Sequence, residues 1–125
     1  MTSKDLNEYF KGRSAISDLK KTIEKDVANY TNAFKLKGST ISLNFAKNEK
    51  INLDASKLKM LIEAAITGKM SSPELSYLCD CLALAENVNY SNDNLLDIVY
   101  SIADPEINGG FKSIVELQEM LANLK

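Results

Sequence analysis

From Ser14 onward the chain carries its longest apolar rhythm: Ile16, Leu19, Ile23, Val27, Tyr30 and Phe34 recur at steps of three and four. Side chains three and four apart share one side of an α-helix, so this spacing predicts a long amphipathic helix that ends at Gly38. Lys20, Lys21, Lys25 and Lys35, with Asp18, Glu24 and Asp26, take the opposite side. A coiled-coil seam could use such a stripe, but without strong flanking charge pairs it fits a core helix better. Ahead of it, Leu6, Tyr9 and Phe10, between Ser3 and Gly12, predict a short opening helix.

Between Gly38 and Asp54 the period shortens to two. Ile41, Leu43 and Phe45 alternate with Ser42 and Asn44, and Ile51 and Leu53 flank Asn52, around a polar turn containing Asn48. This pattern predicts a β-hairpin over about residues 39–54, lying against the helices because an isolated hairpin is marginal in water.

Helical spacing resumes with Ala55, Leu58, Leu61, Ile62, Ala65 and Ile66 and stops at Gly68. Ser71-Ser72-Pro73-Glu74 is then the plainest start signal in the chain: a serine cap, a proline in the first turn, and a glutamate three residues on to complete a capping box. Leu75, Leu78, Leu82 and Ala85 supply the buried side of that helix. Ser91 is the expected cap of the next, which carries Leu95, Leu96, Ile98, Val99 and Ile102 and stops at Asp104-Pro105, since proline disfavours helical geometry in the residue before it. Asn108-Gly109-Gly110 reads as a turn, and Ser113 with Glu116 opens a last helix bearing Ile114, Leu117, Leu121 and Leu124. The expected fold is mainly α: five or six helices packed as one domain over residues 1–125, with one short hairpin.

Composition narrows the chemistry. The sequence contains no histidine, which removes the commonest general base, the commonest zinc ligand and every Ser-His or Cys-His pair. There is no glycine-rich phosphate loop. Asp93 with Asp97, and Asp104 with Glu106, are carboxylate pairs, and the first would share a helix face. Neither comes with the Glu-x-x-His that helical metal sites use, so no catalytic residue, metal or cofactor is expected. Cys79 and Cys81 point about 200° apart on a helix and read as reduced, packed thiols. No apolar run approaches the roughly 20 residues that span a bilayer, and the first residues lack a signal-peptide core. A cytoplasmic protein that avoids membranes is the expectation.

Charge speaks to function. From Met70 to Phe111 there is no lysine or arginine, while Glu74, Asp80, Glu86, Asp93, Asp97, Asp104 and Glu106 contribute −7. Residues 1–69 hold thirteen basic and eight acidic residues, a net +5. Charge of one sign over adjacent helices attracts a basic partner and repels nucleic acid. Tyr77, Tyr90 and Tyr100 fall in the same stretch, and tyrosine is enriched where interfaces gain their energy. The lysines of the first half lack the aromatic or glycine-rich company of an RNA-binding face.

The segments Leu75-Ser76-Tyr77-Leu78, Leu82-Ala83-Leu84-Ala85-Glu86-Asn87-Val88 and Ala103-Asp104-Pro105-Glu106-Ile107-Asn108-Gly109 resemble those of small bacterial immunity proteins. These accompany polymorphic toxins, including those of contact-dependent growth inhibition systems. Gly12-Arg13-Ser14, Ser17-Asp18-Leu19 and the Gly38–Asp54 region are similar in order and spacing, whereas the lysine-rich first half departs from a strongly acidic immunity protein. The resemblance implies a non-enzymatic chain, monomeric when free, that binds the C-terminal domain of a cognate toxin. That toxin would be basic and a nuclease. The seven acids would mimic phosphates in its groove, and Tyr77, Tyr90 or Tyr100 would serve as an anchor. The alternative is a non-enzymatic structural or adaptor module of a larger bacterial assembly, for which the Ile16–Phe34 stripe offers a route to self-association.

Overall fold

The computed structural model describes residues 1–35, 43–105 and 107–125. Among them, six helices follow in order: α1 (Ser3–Phe10), α2 (Ile16–Lys35), α3 (Ala55–Ile66), α4 (Ser72–Leu84), α5 (Asp93–Ile102) and α6 (Ile114–Ala122). Two three-residue strands complete the set, β1 (Ile51–Leu53) between α2 and α3, and β2 (Val88–Tyr90) between α4 and α5. The mainly helical class read from periodicity holds.

Side-chain caps start five of these helices and the capping box occurs three times. Thr2 accepts from the Asp5 N–H while Asp5 accepts from the Thr2 N–H, and Ser71 with Glu74 and Ser113 with Glu116 repeat the pattern. Each box satisfies two amide donors that the helix cannot. The cap of α5 falls one residue later than the sequence suggests. Asn92 accepts from the Leu95 N–H at 3.1 Å, while the Ser91 hydroxyl donates to the Leu53 carbonyl. Ser91 is thus drawn onto β1 and its neighbour takes the capping role.

The strand at 51–53 forms, but not as half of a hairpin. Ile51, Asn52 and Leu53 pair in parallel with Val88, Asn89 and Tyr90. Of the first hairpin arm, residues 39–42 lie outside the described set, and 43–45 form no strand. Ala46 instead makes an isolated parallel bridge to Thr2. Local alternation reveals that a segment is extended and half-buried, but a parallel ladder needs a long crossover, here α3 and α4, that adjacency in sequence cannot suggest.

Ser3 and Asn7 in α1 hold the 46–50 segment in place. The Ser3 hydroxyl donates to Asn48 Oδ1, the Glu49 N–H donates to Ser3 Oγ, and Asn7 Nδ2 donates to the Lys50 carbonyl. The single core is built from α1, α2, both strands, α3, α4 and α5, and Leu117 of α6 closes it. Within α2, Leu19, Ile23 and Tyr30 are buried, and Ile16 and Val27 pack against the cluster. The apolar stripe of this helix is therefore consumed inside one chain, and the seam proposed for self-association is not free. No described helix is long and apolar enough to cross a membrane.

Candidate functional site

The residues picked out by charge separate into two groups once α4 and α5 pack together. Those on α4 turn to structural work. Glu74 completes the Ser71 capping box, accepting from the Ser71 N–H at 2.8 Å, and lies 3.9 Å from the Lys20 ammonium. Tyr77 is 0% exposed; its ring meets Tyr30 edge-on at 5.6 Å and its hydroxyl reaches the Asn44 carbonyl at 3.5 Å. It is a core residue and not an anchor, because the apolar stripe of α2 lies across it.

Asp80 faces inward to a junction of three segments. The Tyr30 hydroxyl donates to one carboxylate oxygen, and the Asp104 N–H donates to the other at 3.0 Å. Burial pushes its carboxyl above the usual carboxylate range, and both donors oppose that shift by stabilising the anion. Burial, together with this bond, also pushes the Tyr30 phenol up. Asp80 thus joins α2, α4 and the loop after α5, and each of its carboxylate oxygens already accepts from a protein donor.

Tyr90 is half-buried, and its hydroxyl donates to the Leu82 carbonyl at 3.1 Å, capping an orphan acceptor in the last turn of α4. Asp104, with φ of 49°, adopts the left-handed conformation that Asp tolerates better than most residues. Its Oδ1 accepts from the Ile107 N–H at 3.4 Å. Glu106 lies outside the described residues.

The second group reaches solvent. Asp93, Asp97 and Tyr100 are spaced four and three apart on α5, so they form one row along its outer side, and all three are exposed. The opposite side of α5 supplies Leu95, Ile98, Val99 and Ile102 to the core, which fixes the row outward. Glu86, also exposed, sits in the turn between α4 and β2. Of the seven acids, Glu86, Asp93 and Asp97 stand exposed on the described surface, and Asp93 also sits in the first turn of α5. Tyr100 is the exposed one of the three tyrosines, at 50%.

Sequence reading passed over one exposed apolar residue. Ile107, on the loop after α5, is 79% exposed. The available signal was an isoleucine in a turn between Pro105 and Asn108-Gly109-Gly110, with no periodic partner to bury it.

Cys79 and Cys81 are buried free thiols. Burial pushes Cys79 up and Cys81 up to about 12, so both stay protonated and unreactive. Among the described residues, no group of three or more histidine, cysteine or carboxylate side chains is placed to hold a metal ion. A shallow groove of about 220 Å³ lies over Leu43, Phe45, Cys81, Leu84 and Ala85, without polar groups converging on it beyond Lys47. Comparison with known proteins finds no matching family model, no matching curated protein and no matching solved structure.

Proposed function

We propose that this chain is an immunity-type protein that binds and neutralises a bacterial toxin domain through the outer face of α5. The observation that supports the reading is the exposed row of Asp93, Asp97 and Tyr100, set in a stretch from Met70 to Phe111 that carries no lysine or arginine. Carboxylates at such spacing can take the places of phosphates in a basic groove, so the favoured partner is a nuclease domain whose substrate cleft is cationic. Long-range attraction brings the two surfaces together quickly, and a rigid aromatic slows their separation. No cofactor or metal enters this mechanism, and it takes place in the cytosol.

The test is co-purification with the tagged chain from the cells that produce it, followed by growth rescue. Recovery in equal amount of the C-terminal fragment of a large secreted protein, whose toxicity on expression is relieved by this chain, would support the proposal. Recovery of the chain alone, or of a structural complex with no toxic component, would reject it.

A further inference from the structure

Asn108-Gly109 is the one asparagine–glycine step in the sequence. Glycine has no Cβ to shield its backbone nitrogen, so that nitrogen can close onto the side-chain carbonyl carbon of the asparagine before it. The fold gives the same side-chain amide a task. The end of α5 leaves backbone carbonyls without helical partners. The Ala103 N–H donates to the Val99 carbonyl at 2.9 Å, and the Ser76 hydroxyl donates to the Ile102 carbonyl at 3.1 Å. Asn108 Nδ2 supplies the rest, donating to the carbonyls of Tyr100, Ala103 and Asp104 at 3.0, 2.5 and 3.2 Å. Asn108 is thus a side-chain cap on the C-terminal end of α5, built on the residue with the least hindered route to losing its amide.

We infer that Asn108 is a self-modification site whose reaction the folded chain restrains and whose product uncaps α5. In the reaction the Gly109 nitrogen gives its proton to solvent and bonds to Cγ of Asn108. The Cγ–Nδ2 bond breaks, and Nδ2 leaves as ammonia after taking a proton from water. Water then opens the cyclic imide at either carbonyl and leaves aspartate or isoaspartate. One water enters, one ammonia departs, and nothing is oxidised or reduced. The nitrogen expelled is the one that bonds three carbonyls, so the folded chain must first release those bonds. The product places an acceptor where the donor stood, and a negative charge at the helix end whose dipole opposes it. Lys112 donates to the Asn108 backbone carbonyl at 3.0 Å and lies 3.8 Å from the Glu116 carboxylate. A new carboxylate that turned toward Lys112 would still leave the Tyr100 and Ala103 carbonyls without this donor. The inference is independent of which partner the α5 face meets.

Peptide mapping by mass spectrometry tests the restraint. The full chain is aged at mildly alkaline pH, folded in one sample and unfolded in guanidinium in the other. Conversion at Asn108 is expected in both, at least about tenfold more slowly in the folded chain. Equal rates, or no conversion in the unfolded chain, would overturn the inference. Isoaspartate recovered beside aspartate marks the cyclic route, and aspartate alone would reject it. Asn108→Asp tests the product: Tm should fall by at least about 4 °C. Asn29→Asp makes the same charge change at an exposed position of α2 and should leave Tm within about 1 °C. An unchanged Tm for the first variant, or an equal fall in both, would overturn the capping role. The converted fraction of the aged folded sample, separated by its added charge, gives the same reading without refolding. It should melt below the unconverted fraction, and coincident melting would count against the proposal.

Discussion

Removing one hydroxyl, by Tyr30→Phe, tests the Asp80 junction with little change in packing. The ring of Tyr30 stays against Tyr77 and no cavity opens, but Asp80 loses the donor on one carboxylate oxygen. A hydrogen bond to a charged group contributes about 1.5–3 kcal/mol. Asp80 is only partly shielded, so water competes for the oxygen and the lower part of that range applies, about 1.5–2 kcal/mol at neutral pH. For a chain of 125 residues, unfolding entropy scales so that 1 kcal/mol corresponds to about 4 °C, and the expected fall in Tm is about 6–8 °C.

The loss also depends on pH, with a definite sign. Burial raises the folded-state pKa of Asp80 above its ordinary value. Protonation at this site therefore favours the folded chain. The corresponding stability is fully present below the ordinary carboxylate value of about 3.9, and it is lost as pH rises through the raised folded value. The Tyr30 hydroxyl lowers that pKa, so the phenylalanine variant has a still higher one and pays more for the ionised carboxylate. Urea unfolding of both proteins should show the full difference at neutral pH, shrinking to about 1 kcal/mol or less once the pH falls below the raised folded value, where Asp80 holds a proton and the lost bond is an ordinary neutral one. An equal difference at both pH values, or none at neutral pH, would refute the account of Asp80 as a buried anion held by its donors.

Three other outcomes are expected. Ser71→Ala removes the side-chain acceptor of the capping box that starts α4 and should cost about 1 kcal/mol, read as a drop of roughly 4 °C in Tm. Glu86→Lys with Asp97→Lys reverses two exposed charges clear of any helix start. If the α5 face meets a basic toxin domain, stopped-flow association should slow at least about tenfold at low salt and converge with wild type at high salt. Cys79 and Cys81 should resist an aromatic disulfide reagent in the native chain at mildly alkaline pH and react fully in guanidinium, since burial and raised pKa both suppress the thiolate. Rapid native labelling would show that α4 opens readily.

Much of the fold was legible in local pattern. Ser71-Ser72-Pro73-Glu74 and Ser113 with Glu116 mark real helix starts because a capping box satisfies its donors within four consecutive residues, and no distant element is needed to complete it. The Ile16–Phe34 stripe likewise sets the buried side of α2, since helical geometry converts spacing directly into direction. The exposed row of Asp93, Asp97 and Tyr100 follows from the same rule once Leu95, Ile98, Val99 and Ile102 define the inner side.

The tertiary structure decided the rest. Which strand pairs with 51–53 depends on bringing Val88 alongside Ile51 across two helices, and alternation in one segment holds no information about its distant partner. The roles of the acids were undecidable for the same reason. Asp80 and Asp97 are alike as residues, but one is enclosed by Tyr30 and Asp104 and the other faces water. Formal charge is a property of the chain, whereas the charge a partner meets depends on which carboxylates the fold has already supplied with donors. Ile107 has no periodic partner in the sequence, and its exposure is seen only where the loop after α5 is placed.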